Sequence, residues 1–328
     1  MIITQTPFRL SFAGGGTDLE AFYKHDFGAV FSVTLNHHIY VTVHRRFEDD
    51  YRVSYSKTEF SKNVSEIPHE LVREAMISAG IDQPLEVTTI ADVPAGTGLG
   101  SSSTLTVGLL NAFRAVRGKV SSSDKLAELA CGIEIDALGN PIGKQDQYAA
   151  AFGGMNYMRF NSDGTVRIDR IPCERDVMKH IESHSLMVYT DQQRSASKIL
   201  EKQTLGTVDN LTVLTEMRDM AGEMKNIVCR GANMQEFGRL LDEGWRLKRS
   251  LGFGITNSLI DDWYEAAKKA GAIGGKLLGA GGGGFLLFYV EPKNQIKVRD
   301  ALKELFCLDV KLDNGGTRIT YYDQSRIN

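Results

Sequence analysis

A glycine-rich segment that runs into serines offers the clearest chemistry in the sequence. Residues 94–105 read PAGTGLGSSSTL, with glycine at 96, 98 and 100 and three serines directly after. Glycines leave backbone N–H groups open to a ligand, and a helix that begins at the serines adds the positive end of its dipole. The segment therefore predicts a phosphate-binding loop, and the alternative is a turn that only caps a helix. The predicted binding residues are Gly96, Gly98, Gly100, Ser101, Ser102 and Ser103.

Two carboxylates flank a turn that is rich in glycine and proline. They are Glu134 and Asp146, in the segment EIDALGNPIGKQDQ. Phosphoryl transfer to a hydroxyl needs one carboxylate that holds Mg²⁺ and another that orients the hydroxyl or accepts its proton. A serine hydroxyl of the glycine loop can also ligate Mg²⁺, because hard cations prefer oxygen. The alternative is that both acids are solvated helix termini, and this stretch alone favours neither interpretation.

Glycines also cluster in PFRLSFAGGGTDL (residues 7–19) and in GGKLLGAGGGGFLLFY (residues 274–289). In the first cluster, Arg9 can donate to a phosphate or a carboxylate, and Asp18 can accept hydrogen bonds from sugar hydroxyls. In the second, glycines let the backbone approach a ligand without side-chain bulk. The alternatives are a surface ion pair between Arg9 and Asp18 and a tight turn between core strands.

The composition excludes several classes of protein. The chain has 328 residues and a formal net charge of −3, which is too weak for a protein that coats nucleic acid or an anionic membrane. No apolar run approaches the roughly 20 residues of a membrane span. The four cysteines lie far apart and match no zinc-binding spacing. We therefore expect a cytoplasmic enzyme with reduced thiols, a small-molecule substrate, and no nucleic-acid or membrane partner.

Hydrophobic periodicity predicts the elements that must position these residues. It indicates strands at residues 39–43, 85–90 and 285–290, and a helix after the serine run. A second helix is predicted from about residue 125 to 137, capped by Ser123 or Asp124, and a third should begin near Asp146. Long helices dominate the later half. Strands and helices mix without a regular βαβ rhythm, which predicts an α+β fold with two lobes.

Taken in order, three of these segments resemble the motifs of the GHMP small-molecule kinases. That family has Pro-x-Arg near its N-terminus, Pro-x-x-x-Gly-Leu-Gly-Ser-Ser in its phosphate loop and Gly-Ala-Gly-x-Gly-Gly near its C-terminus. Residues 7–9, 94–102 and 279–284 match them. The resemblance covers essentially the whole chain. It implies an N-terminal domain over residues 1–180, similar to domain 2 of ribosomal protein S5, and a ferredoxin-like C-terminal domain over residues 181–328.

The resemblance also implies roles for individual residues, with ATP as the phosphoryl donor and Mg²⁺ as the metal. Asp146 resembles the catalytic aspartate, and Arg9 resembles the arginine that braces this aspartate and the γ-phosphate. The loop residues resemble the cradle for the ATP phosphates. Ser102 and Glu134 match the family's Mg²⁺ ligands. Asp18 falls where galactokinases place an aspartate that binds the sugar.

The acceptor is implied to be a sugar phosphate. Galactokinases carry Glu-His where this chain has Gly15 and Gly16, which puts both glycines in the predicted acceptor site and galactose in doubt. Segments such as YTDQQRSASKI instead resemble the bacterial heptose 7-phosphate kinases of the family. The implied activity is ATP-dependent phosphorylation of the anomeric hydroxyl of D-glycero-D-manno-heptose 7-phosphate to the 1,7-bisphosphate, for nucleotide-activated heptose and surface-glycan synthesis. The alternatives are a kinase for fucose or galactose and a non-catalytic sugar sensor.

A substrate with a distal phosphate needs cations beyond those that serve ATP. Arg194 is the first candidate, with Ser195 and Ser197 as further donors. Weaker candidates are Arg45, Arg46, Lys198 and Lys248. The adenine pocket is predicted near residues 55–57, and we expect the chain to act as a monomer or a homodimer.

Overall fold

The structure, a computed structural model, describes residues 1–192, 196–252, 254–323 and 325. Its strands are β1 (Ile2–Ala13), β2 (Gly28–Arg45), β3 (Tyr51–Ser54), β4 (Thr58–Ser61), β5 (Leu85–Ala91), β6 (Met155–Phe160), β7 (Val166–Arg170), β8 (Ser185–Tyr189), β9 (Ala272–Leu277), β10 (Phe285–Val290), β11 (Phe306–Asp309), β12 (Leu312–Asp313) and β13 (Arg318–Tyr322). Its helices are α1 (Glu20–Tyr23), α2 (Glu70–Ala79), α3 (Ser101–Val116), α4 (Ser123–Cys131), α5 (Gln145–Phe152), α6 (Arg175–His184), α7 (Ala196–Leu205), α8 (Leu211–Arg230), α9 (Met234–Ser250), α10 (Ser258–Lys269) and α11 (Pro292–Ala301). Among the described helices, none combines the length and apolarity needed to cross a lipid bilayer.

Nine strands form one sheet in the order β13-β1-β2-β5-β3-β4, with β6 and β12 also paired to β2 and β7 paired to β6. Its pairings are antiparallel except for that between β3 and β5. Successive side chains of a strand point to opposite faces. In β1, Phe8 and Leu10 therefore lie in the hydrophobic core, while Arg9 and Ser11 line a cavity. The strand is buried on both faces from residue 6 onward.

Four strands form the second sheet, in the order β11-β8-β10-β9 with antiparallel pairing throughout. Helices connect β8 to β9 and β10 to β11, which is the connectivity of a ferredoxin-like unit. Phe288 and Val290 of β10 pack in a core that includes Trp245 of α9. The predicted α+β class with two lobes, the second of them ferredoxin-like, is confirmed.

The strands that follow the second sheet return to the first. β12 pairs with β2, and β13 pairs with β1. The hydroxyl oxygens of Thr6 and Thr317 are 2.8 Å apart at this junction. The chain therefore passes from the first sheet into the second lobe and then returns to the first sheet. The predicted domain division after residue 180 falls within α6 and stays a prediction.

Helix α4 has a different cap from the predicted one. The Ser122 hydroxyl accepts a hydrogen bond from the Lys125 backbone N–H at 3.2 Å, so the prediction of Ser123 or Asp124 was wrong. Both of those residues already lie in the first turn, where their own side chains cannot cap the helix. The predicted helix to residue 137 changes at Gly132 into a π-helical turn, Gly132–Ala137. Such turns often occur at functional sites.

We expect Ser122→Ala to lower the free energy of unfolding by about 1 kcal/mol, because one backbone N–H of the first turn loses its partner. Urea denaturation monitored by circular dichroism measures this change. Ser123→Ala is the matched control and should cost clearly less. A larger loss for Ser123→Ala than for Ser122→Ala would contradict the assignment of the cap.

Candidate active site

A cavity of about 940 Å³ lies where the two lobes meet. Its walls come from β1 and β9, from the loops that lead into α3 and α5, and from α7 and α9. A cavity of this size can enclose small-molecule substrates. Tyr55 and Ser56, from the region predicted for adenine, also line it.

The glycine–serine loop forms one wall, and all of its predicted binding residues line the cavity. Gly96, Gly98 and Gly100 have φ angles of 78°, 82° and 81°. This left-handed conformation is one that glycine adopts without strain. Within the described part of the chain, no side chain caps the first turn of α3, so its backbone N–H groups are available to an anion. The loop has the geometry of a phosphate cradle.

The third glycine segment, residues 279–284, packs directly on this loop. A Cβ atom at Gly279 would lie 2.6 Å from Cα of Gly98, and one at Gly284 would lie 2.3 Å from the carbonyl oxygen of Thr97. The Phe285 N–H donates to that same oxygen at 3.2 Å. The contact between the lobes therefore depends on backbone atoms that meet without side chains.

Arg9 and Asp146 form a bidentate ion pair in the cavity. Nε and Nη2 of Arg9 donate to the two carboxylate oxygens of Asp146 at 2.7 and 2.8 Å. Nη1 of Arg9 donates to the carbonyl oxygen of Gly98. A Cβ at Gly100 would lie 3.0 Å from Oδ2 of Asp146. The two predicted catalytic residues thus lie together, and both contact the phosphate loop.

Asp18 lies close to this pair, as its predicted role in acceptor binding requires. Its carboxylate is buried and accepts hydrogen bonds from the N–H of Gly16 at 3.0 Å and from the backbone and side chain of Gln145 at 3.2 and 3.0 Å. Burial, together with the charge of Asp146, raises the pKa of Asp18. Asp18 therefore fixes the glycine turn relative to the start of α5, and its contact with a sugar hydroxyl stays a prediction.

Glu134 lies behind the phosphate loop, in the π-helical turn. Its carboxylate accepts hydrogen bonds from Ser103 and Thr106, each at 2.6 Å, and from Gln147 at 2.8 Å. Complete burial raises its pKa to about 7. The serine that contacts it is Ser103, whereas Ser102, its predicted partner in binding Mg²⁺, is exposed at the cavity wall.

Two buried lysines that line the cavity were largely missed by sequence reasoning. Nζ of Lys248 donates to the carbonyl oxygen of Gly279 at 2.6 Å, and Nζ of Lys276 donates to the carbonyl oxygens of Ser11 and Phe12 at 2.9 and 3.1 Å. Across the described ranges, neither forms an ion pair with an acid. Burial lowers the pKa of Lys248 to about 8 and that of Lys276 well below its ordinary value. The sequence analysis named Lys248 only as a weaker candidate for binding a phosphate. The signal for Lys276 was a single charged residue among glycines and leucines.

The predicted distal-phosphate residues Arg194 and Ser195 lie outside the described residues. Ser197 lies in the first turn of α7, and its side chain is also outside the part of the chain that the structure describes. Of the four weaker candidates for binding the distal phosphate, Lys248 lines the cavity. The three that do not line it are Arg45, Arg46 and Lys198.

Comparisons with known proteins match this geometry. The family model of the GHMP kinases N terminal domain matches residues 66–154, and that of the GHMP kinases C terminal domain matches residues 224–306. The D-glycero-alpha-D-manno-heptose 7-phosphate kinase of Campylobacter jejuni subsp. jejuni is 32% identical over 318 residues, which cover 92% of this chain and 93% of that protein. The chain belongs to the GHMP kinase family. It is a phosphotransferase with an alcohol group as acceptor and ATP as donor.

Two further relatives place this GHMP kinase among sugar kinases. The crystal structure of a D-glycero-D-manno-heptose 1-phosphate kinase from Bacteroides thetaiotaomicron superposes with a TM-score of 0.83 at 26% identity, over 98% of this chain and 100% of that one. A bifunctional fucokinase/GDP-fucose pyrophosphorylase of Arabidopsis thaliana is 29% identical over 79% of this chain, but the match spans only 25% of that larger protein.

The low pKa of Lys248 predicts a pH dependence of stability in this GHMP kinase without ligand. The folded state binds the Lys248 proton less tightly than the unfolded state, so the unfolded state holds more protons between about pH 8 and 10.5. As pH rises through this window, the free energy of unfolding of the wild type should therefore increase relative to that of Lys248→Met, by on the order of 3 kcal/mol. Urea denaturation at several pH values measures the difference. Lys269→Met, at an exposed site, is the control; an equal pH trend for both variants would contradict the assignment.

Proposed function

We propose that this GHMP kinase phosphorylates the anomeric hydroxyl of D-glycero-D-manno-heptose 7-phosphate, giving the 1,7-bisphosphate for nucleotide-activated heptose and surface-glycan synthesis. One observation carries most weight: the Arg9–Asp146 pair adjoins the phosphate loop in a cavity that also holds two buried lysines. Buried cations without acidic partners are costly unless an anion binds them. Loop and arginine can serve the ATP phosphates, and the two lysines add the charge that a phosphorylated acceptor needs.

The chain's own residues divide the chemistry between them. The N–H groups of the loop and the start of α3 bind the ATP phosphates, and Arg9 neutralises charge on the γ-phosphoryl group. Asp146 accepts the proton of the acceptor hydroxyl while the hydroxyl oxygen bonds to the γ-phosphorus. The bond from that phosphorus to the bridging oxygen breaks, and ADP leaves. The Arg9 fork keeps the Asp146 carboxylate oriented for this step.

The residues present fit Mg²⁺, which prefers oxygen ligands and needs only one or two carboxylates beside substrate phosphates. Ser102 and Glu134 would hold it. When bound, Mg²⁺ neutralises phosphate charge. Glu134 already accepts three hydrogen bonds, which leaves about one of the four lone-pair sites of its carboxylate, on Oε1, for the ion. Its pKa of about 7 means that the ionised form, which a metal requires, increases as pH rises through neutrality.

The identity of the acceptor is tested by ADP release with a panel of sugars. Two relatives are named as kinases of a heptose phosphate but differ in the phosphate position, and a third is named as a fucokinase. We expect kcat/KM for heptose 7-phosphate to exceed that for the dephosphorylated heptose by about 100-fold or more, since hydrogen bonds to charged groups contribute about 1.5–3 kcal/mol each. Heptose 1-phosphate, fucose and galactose complete the panel. Equal activity with and without the 7-phosphate would contradict the proposal.

The role of Asp146 is tested separately. We expect Asp146→Asn to lower kcat by roughly 10²–10⁴-fold, because the amide cannot accept the hydroxyl proton. ATP affinity, measured by calorimetry, should stay close to that of the wild type because the loop is untouched. Asp136→Asn is a control on an acid of the π-helical turn that does not line the cavity. Wild-type turnover in Asp146→Asn would exclude this residue as the base, and binding of ATP and sugar without turnover in the wild type would favour the sugar-sensor alternative.

A further inference from the structure

We propose that Gln203 and Ser11 form a subsite that binds hydroxyl groups of the acceptor and thereby selects it. The inference rests on the proposed kinase function and adds specificity-determining residues to it. Gln203 lies on α7 and Ser11 on β1, so the subsite joins the two lobes. Both side chains line the main cavity.

Gln203 is a buried amide with unused hydrogen-bonding capacity. Its exposed fraction is 2%, and among the described residues neither Nε2 nor Oε1 has a hydrogen-bond partner. Nearly all buried polar groups in folded proteins are paired, and leaving them unpaired costs free energy. A side chain that lines the cavity and carries both an unpaired donor and an unpaired acceptor is therefore suited to a ligand.

Ser11, on β1, repeats this pattern at the same cavity. Its exposed fraction is 5%, and its Oγ has no partner within the described part of the chain. A Cβ at Gly15 would lie 4.0 Å from this Oγ and 3.8 Å from Nε2 of Gln145, so Gly15 leaves the space between them open. Oε1 of Gln145 is also buried, with no hydrogen-bond partner among the residues that the structure describes. Three polar side chains with unused capacity thus surround the glycine turn.

Gly16 explains why the amide of Gln203 can reach this turn. Its φ is +101°, and a Cβ there would lie 2.1 Å from Nε2 of Gln203. Any side chain at this position would displace the amide. The second and third glycines of the turn therefore have separate effects: Gly15 leaves space for a ligand, and Gly16 admits the side chain that binds it.

The chemistry of these groups favours a polyol over a phosphate. Phosphate oxygens only accept hydrogen bonds, and the unpaired amide oxygens of Gln203 and Gln145 would repel them. A hydroxyl both donates and accepts, so neighbouring hydroxyls of one sugar can satisfy both atoms of the Gln203 amide and the Ser11 hydroxyl. The ATP phosphates have their own N–H donors in the glycine–serine loop. The ligand class is thus the polyhydroxylated part of the acceptor.

The test uses full-length variants in the ADP-release assay, with thermal unfolding of each free protein. Gln203→Leu keeps the approximate volume and removes both polar atoms; Ser11→Ala removes the hydroxyl. We expect each to raise the acceptor KM by about tenfold or more and to leave the ATP KM near the wild-type value. Melting temperatures should be unchanged or higher, because no partner is lost in the free protein. A lowered melting temperature with unchanged acceptor KM would show a structural role and overturn the inference.

Ser32→Ala is the matched control. Ser32 lies opposite Ser11 in the β1–β2 pairing, is fully buried, and has an unpaired Oγ among the described residues, but it does not line the cavity. It should leave both KM values unchanged. An equal rise of the acceptor KM in Ser32→Ala and Ser11→Ala would overturn the assignment of Ser11 to the subsite.

Deoxy sugars separate this inference from the proposed function. An acceptor that lacks the contacted hydroxyl should lose affinity for the wild type, with no further loss for Gln203→Leu. The comparison uses whichever sugar the wild type phosphorylates best, so a preferred acceptor other than heptose 7-phosphate would refute the proposed substrate and leave the subsite testable. Independent losses from every deoxy position and from Gln203→Leu would refute the subsite.

Discussion

The bidentate pair between Arg9 and Asp146 is the interaction on which the site depends. It ties β1 to the first turn of α5, and the third nitrogen of the same guanidinium holds the carbonyl oxygen of Gly98. The backbone N–H of Arg9 also donates to the carbonyl oxygen of Leu99 at 3.2 Å. One buried side chain thus sets the relative positions of Asp146 and the phosphate loop. A lysine could not replace it, because a single ammonium lacks the planar fork that engages two oxygens and a third acceptor.

The other charged groups of the cavity are less fully paired than Arg9 and Asp146. Asp146 is neutralised by Arg9, and Asp18 is neutralised only in part, by N–H donors rather than by a cation. Among the residues that the structure describes, Lys248 and Lys276 donate to backbone carbonyl oxygens and form no ion pair with an acid. Burial weakens their hold on protons, and Lys248 also lowers the pKa of Lys276. A bound anion would therefore raise the pKa of both lysines and favour their charged forms.

Local features of the sequence predicted part of this candidate site. Glycine spacing and the serine run indicated the loop, because a loop and a helix start depend on neighbours in the chain. The resemblance to the GHMP kinases, rather than local pattern, pointed to Glu134 and Asp146 as its partners. The sequence did not show which serine faces Glu134, since a helix turns by about 100° per residue and a shift of one position moves a different side chain inward. Nor did it indicate Gln203 or Lys276, because burial without a partner arises only when distant segments pack together.

The route of the chain through the first sheet has a consequence for folding. β1 pairs with β13, so the sheet that carries Arg9 joins residues separated by most of the chain. Contacts at such separation cost the entropy of closing a long loop before they contribute any stabilisation. Proteins dominated by such contacts fold slowly. During synthesis, the ferredoxin-like unit can form while one edge of the larger sheet still lacks its final strand. Until β13 arrives, that edge of β1 exposes unpaired backbone groups of the kind that drive aggregation.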